Sequence, residues 1–326
     1  MNNNKPILLV QVSVGPTYKE RLLKHISTCD GYDHYDTLVM TDDPEYFRSV
    51  SNKENVFIKH IDDLRSRHPW SIDFEKLPEE KHDEVKYAKE MINGFRFPTM
   101  LERFALDWER ADNYSGFIFM NCDVIPVKNP GEYEITKKFL TEEIASHPHL
   151  PSIDLRGKTI VAPASLSYDT HCSHSYLMEY AIEINNKYKL KDVIEWRFPI
   201  TDGNFRVIKF PNPKNRKDFF ELTNNIVKDI YQEDKYFVLR HHTHWQCHSE
   251  YIFSIAMNLL DAYPMVRNDI TGLTNSLFHI ACFPEDRFWS WGWPVENIND
   301  GKRGFIETNR SRLKEFYENR GLVFPY

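Results

Sequence analysis

The most informative chemistry in this sequence follows the apolar run Phe117-Ile118-Phe119-Met120, where Asn121, Cys122 and Asp123 come in succession. Such a run reads as a buried central strand, and a carboxylate just beyond one sits in the ligand crevice of an α/β sheet. There Asp123, with the Asn121 amide as a neutral oxygen ligand, can hold a hard divalent cation that neutralises a diphosphate. Asn and Asp also build ordinary strand-end turns, so the residues alone leave both readings open. A second acidic strand end is Thr41-Asp42-Asp43-Pro44. Asp42 could accept from a base imide or a ribose hydroxyl, or the stretch could cap a helix.

Two further groups of residues carry chemistry. Residues 241–250 hold four histidines and Cys247, yet their spacing matches none of the usual two-plus-two zinc patterns. In the same stretch Glu250 opens a helix, with Ser249 near its cap. A carboxylate there can stabilise an oxocarbenium-like cation or attack an anomeric carbon; the helix dipole alone also favours glutamate at that place. Arg103, one turn into the helix before the central strand, could pair with a diphosphate or ribose, or with Glu102 or Asp107. Lys302 and Arg303 open a basic tail that either folds over phosphates as a lid or stays a solvated terminal helix.

The elements that must position these residues can be read from hydrophobic pattern. Strands are predicted over residues 7–12, 37–40, 56–58, 117–120, 159–162 and 205–210. Helices are predicted over 18–29, 98–110, 215–231 and 250–260. The helix at 98–110 places Met100, Phe104 and Trp108 on one stripe, and that at 215–231 places Phe219, Leu222, Ile226 and Ile230 likewise. Residues 62–95 read as charged surface helices and loops, and 130–157 as a helix and a loop. Strand, helix, strand, with a polar turn at each carboxyl end, is a nucleotide-binding half-sheet. The expected architecture is α/β: a Rossmann-like mixed sheet with helices on both faces, in one domain.

Composition sets outer bounds. With 326 residues, 41% of them hydrophobic, the chain can bury a large core. A net charge of -7 argues against non-specific coating of nucleic acid without excluding a local basic groove. The apolar run at residues 7–10 is too short for a signal peptide or a membrane span. Five scattered cysteines without paired spacing fit a reducing compartment, so a cytoplasmic location is expected.

In order along residues 5–262, these pieces resemble the retaining α-1,3-galactosyl- and N-acetylgalactosaminyltransferases that include the histo-blood-group ABO enzymes. The family's early strand and aromatic-bearing helix look like residues 10–23, with Tyr18, and its Thr-Asp-x-Pro turn like Thr41 to Pro44. Its basic helix looks like residues 100–110, its Asp-x-Asp falls on Asn121 and Asp123, and its His-Asp-Glu falls on His248-Ser249-Glu250. The resemblance implies a GT-A glycosyltransferase fold: a nucleotide-binding half (1–127), an acceptor and catalytic half (128–287) and a basic tail (288–326). It further implies a UDP-sugar donor and a retaining transfer to an acceptor hydroxyl. Glu250 would be the nucleophile or ion-pair partner of the sugar cation, with His248 lining the sugar pocket. Gln11, Val12, Ser13, Tyr18, Asp42, Arg103, Asn121, Cys122, Asp123, Lys302 and Arg303 become candidate donor contacts, and Asp123 with Asn121 the candidate ligands for Mg2+ or Mn2+. Because Asn121 replaces the family's first acid, metal independence is the alternative; because Ser249 replaces the second motif's acid, the donor sugar stays open. A saccharide is the expected acceptor, with a hydroxylated base in DNA as second choice and a non-catalytic nucleotide-sugar-binding protein as third. A nucleotidyltransferase normally needs a glycine-rich basic loop after the first strand, and Ser13-Val14-Gly15-Pro16 has one glycine and no cation.

Overall fold

The computed structural model describes residues 7–14, 16–65, 101–122, 124–126, 137–146, 150–162, 164–165, 174–191, 200–201, 205–232, 248–265 and 277–279. Strands form where the chain is apolar toward both faces. Strand β1 (Ile7–Ser13) is buried along its whole length. It pairs in parallel with β2 (Asp36–Thr41) on one side and with β4 (Gly116–Met120) on the other, and β3 (Val56–His60) continues the parallel set beyond β2. Short strands β5 (Val124–Pro126), β6 (Ile160–Ala162), β7 (Ala164–Ser165) and β8 (Ile200–Thr201) follow in sequence, then β9 (Phe205–Lys209), β10 (Tyr263–Pro264) and β11 (Leu277–His279). The main sheet has seven strands in the order β10-β6-β9-β4-β1-β2-β3. Within it β9 alone runs antiparallel, between β4 and β6. The chain thus forms a mixed, mostly parallel α/β sheet, as expected.

Five α-helices accompany the sheet among the described residues: α1 (Pro16–Thr28), α2 (Ile61–Arg65), α3 (His174–Tyr188), α4 (Pro213–Gln232) and α5 (His248–Leu259). Period-2 alternation along β1 separates two cores. Ile7 and Leu9 pack with Tyr18, Leu22 and Ile26 of α1 and with Tyr32 and Tyr35. Leu8, Val10 and Val12 pack with Phe117, Phe119 and residues of α2, α4 and α5. Helix α4 begins earlier than residue 215, because Asn212 caps it: its Oδ1 accepts from the Asn215 N–H at 3.0 Å, and Pro213 suits the first turn.

One predicted α-helix takes a different form. The part of 98–110 that is described contains a 3-10 helix at Glu102–Asp107, ended by extended backbone at Trp108. Residues Glu102, Arg103, Phe104, Ala105 and Leu106 are all buried. A surface α-helix buries only one stripe, so five successive buried residues call for a segment enclosed on every side. Helix α3 had no counterpart in the sequence reading. Ala181 and Ile184 are buried while Ile182 is 43% exposed, so its apolar residues do not form a clean stripe.

The direction of α5 follows from what comes after it. Its end is a Schellman turn: Asp261 adopts φ 53°, the Ala262 N–H donates to the Met257 carbonyl at 2.9 Å, and the Asp261 N–H to Asn258 at 3.3 Å. The chain then enters β10 at once, with the Tyr263 N–H donating to the Thr159 carbonyl. Since β10 runs parallel to β6, and both β6 and β4 oppose β9, β10 points the same way as β4. A helix that feeds the start of such a strand through so short a turn has its own amino end toward the strands' carboxyl ends.

Candidate functional site

Along the sheet, β2 and β3 lie to one side of β1 and the later β4 to the other. Strand order therefore reverses between β1 and β4, and ligands of open α/β sheets bind in the crevice beyond the carboxyl ends at that switch point. The structure brings five predicted site residues together there. Gln11, Val12 and Ser13 end β1; Asn121 and Cys122 follow β4 directly. The Gln11 Nε2 donates to the Asn121 carbonyl at 3.3 Å, and the Cys122 thiol donates to the Val12 carbonyl at 3.2 Å. These bonds seam the two strand ends where the ladder of β1 and β4 stops.

Ser13 is fully buried, and its Oγ has no hydrogen-bond partner among the described residues. An unpaired buried hydroxyl costs about 1–3 kcal/mol. Tyr18, in the first turn of α1, is 4% exposed and belongs to the core beneath β1. At the end of β2, Asp42 and Asp43 both face Lys19, whose Nζ lies 3.3 and 3.5 Å from their carboxylates. Lys19 carries no signal in the sequence apart from its place one turn into α1. It sets a cation beside the acidic strand end.

Arg103 is buried, with its guanidinium over the Phe104 ring at 4.2 Å and its Nε donating to Asn224 of α4 at 3.2 Å. Its neighbour Glu102 pairs with Arg206 of β9, and both are buried. Desolvation pushes the Glu102 carboxyl up to about 7, outweighing the attraction of Arg206. Arg206 also lies over the Phe253 ring of α5 at 4.6 Å. The sequence signals this buried pair only through a lone arginine inside an apolar strand pattern, Phe205-Arg206-Val207-Ile208.

The amino end of α5 carries His248, Ser249 and Glu250 in its first turn. Phe253, three residues on, packs edge-to-face on Phe119 of β4 at 5.5 Å between ring centroids. Three residues of α-helix rise about 4.5 Å, so Glu250's backbone sits within one turn of the residue that touches the central strand. Asp123, residues 241–247, Lys302 and Arg303 lie outside the described residues. Among the described residues no group of three or more His, Cys, Asp or Glu could hold a metal ion, and no helix is long and apolar enough to cross a membrane.

The sequence matches no family model and no curated protein. Solved structures similar to the chain include the PaToxG glycosyltransferase, at 13% identity and TM-score 0.36, covering 77% of this chain and 68% of that one. The mannosyltransferase Ktr4p from S. cerevisiae is similar at 10% identity and TM-score 0.44, covering 78% and 66%. The galactosyltransferase LgtC, solved with donor and acceptor sugar analogs, is similar at 10% identity and TM-score 0.35, covering 79% and 72%. All three TM-scores lie below 0.5.

Proposed function

We propose that the chain is a GT-A glycosyltransferase that moves a sugar from a UDP-sugar to the hydroxyl of a saccharide acceptor, with retention at the anomeric carbon. One observation carries this reading. The carboxyl end of β4 is seamed to β1 through Asn121 and Cys122, and α5 packs on β4 through Phe253 and Phe119, three residues along the helix from Glu250. A nucleotide at the switch point would place its diphosphate beside Asn121 and Asp123, and Glu250 across the crevice.

The oxygen-only set of Asn121 and Asp123 suits a hard cation, Mg2+ or Mn2+, which would supply charge neutralisation of the diphosphate. Lys302 and Arg303 of the tail are the candidate cations that close over it. In the transfer, the bond between the anomeric carbon and the diphosphate oxygen breaks and its electron pair leaves with UDP. The acceptor oxygen bonds to that carbon from the same face, and its proton passes to the departing diphosphate. Glu250, on the opposite face, stabilises the cationic sugar, or attacks it first and is displaced in a second inversion.

The decisive experiment is Glu250→Gln, assayed for transfer and for UDP binding by calorimetry. Transfer should fall by about 100-fold or more, with UDP affinity within about 2-fold of wild type. Transfer by the variant at the wild-type rate would remove this mechanism.

A further inference from the structure

The polar groups around the β1–β4 seam have donor and acceptor roles that can be assigned without ambiguity. A backbone carbonyl only accepts, so the Gln11 group facing Asn121 must be its amide nitrogen. The Gln11 oxygen then faces Tyr32, whose hydroxyl must donate to it, at 2.9 Å. Both side chains are fully buried. The Asn121 carbonyl thereby fixes the amide orientation, and the Tyr32 hydroxyl supplies the donor that the Gln11 oxygen needs in it. Tyr32 belongs to a 3-10 helix at Asp30–His34, and the same helix meets β5, the strand that comes after that turn in the chain. A Cβ added at Gly31 would collide with the Pro126 carbonyl oxygen of β5, so helix and strand are in backbone contact there. Asn55, on the approach to β3, donates to the carbonyls of Tyr32 and Tyr35 at 2.9 and 2.7 Å and fixes the helix in turn.

We infer that Gln11 and Tyr32 are positioning residues: the Tyr32 hydroxyl braces the Gln11 amide by satisfying its oxygen, and the amide nitrogen holds the Asn121–Cys122 turn where it can meet the donor. This deepens the glycosyltransferase reading and rests on it. It also moves Gln11 from a direct donor contact to a buried residue acting through Asn121. A turn bonded to β1 through Gln11 and Val12, with β5 in contact with Gly31 further along, meets the donor with its backbone already held. Pre-organisation of that kind is what charge stabilisation at a diphosphate requires.

Tyr32→Phe removes the hydroxyl and keeps the ring, and Gln11→Met removes the amide at similar volume. Each variant should speed hydrogen exchange in the peptide spanning 117–126 by about 10-fold, with the peptide from α4 unchanged. Each should lower kcat/KM for the UDP-sugar by about 10-fold. The double variant should also lose about 10-fold rather than about 100-fold, because both changes break one chain of bonds. Unchanged exchange at 117–126, or independent losses that multiply, overturns the inference while leaving the glycosyltransferase reading intact. A wild-type protein that neither binds nor turns over any UDP-sugar overturns both.

Discussion

Glu102 and Arg206 show what a buried charge pair does to a fold at the scale of single residues. They stand 104 positions apart, one on the 3-10 segment and one on β9, and meet inside the core with Phe253 against the guanidinium. Burial raises the Glu102 carboxyl from 4.5 to about 7, so the folded state binds its proton more tightly than the unfolded chain does. The stability this supplies is complete below pH 4.5 and is lost as pH rises through about 7, amounting to about 3 kcal/mol over the window. Glu102→Gln keeps an acceptor for Arg206 and removes the titration. Urea unfolding of both proteins at pH 5 and pH 8 should therefore show the wild type losing about 3 kcal/mol relative to the variant between the two conditions. Identical pH slopes would mean that Glu102 stays ionised throughout. Nothing in local sequence pattern pairs these two residues. Asn121 and Cys122, in contrast, were legible at once, because a short apolar run followed by polar residues marks a strand end wherever it occurs.

Elements were legible in proportion to how simply they are buried. Strands β1, β2 and β4 are buried toward both faces, β3 opens on the apolar run Val56-Phe57-Ile58, and α4 carries Phe219, Leu222 and Ile226 on one buried side, so pattern alone predicts them. Phe104 and Trp108 fit a helical stripe and predict an α-helix there, while tertiary enclosure makes the segment at Glu102–Asp107 a 3-10 helix. Helix α5 is the element on which function leans. Ile252, Phe253, Ile255, Ala256, Met257 and Leu259 bury it deeply, and Phe253 is its link to the central strand through Phe119 and to α4 through Phe219, at 5.5 and 5.7 Å. Phe253→Ala should cost about 3–5 kcal/mol, read as a lower urea midpoint at unchanged m-value. A loss under about 1 kcal/mol would show that α5 is held by other contacts, and the position of Glu250 would no longer be explained by this packing.

At the scale of the molecule, the order β10-β6-β9-β4-β1-β2-β3 makes one reversal beside β1, and the candidate site follows from that topology more than from any single motif. Order in a sheet is set by long-range pairing, so it could not be read from spacing, although the strands themselves could. The same topology makes a prediction about ligands. A molecule that bridges the ends of β1 and β4 binds only the folded chain and raises its stability by RT ln(1 + [L]/Kd), about 2.7 kcal/mol at a hundredfold excess over Kd. With an unfolding entropy near 2.1 cal/mol/K per residue, a chain of 326 residues should gain about 4 °C in Tm. A thermal-shift panel of nucleotide sugars, each with and without Mn2+, reads this directly. UDP-sugars should produce the shift and bases other than uracil should not. A larger shift with Mn2+ present would show that the ion takes part in donor binding, and an equal one would show that it does not. If no nucleotide sugar moves Tm, the crevice at the switch point serves a different ligand.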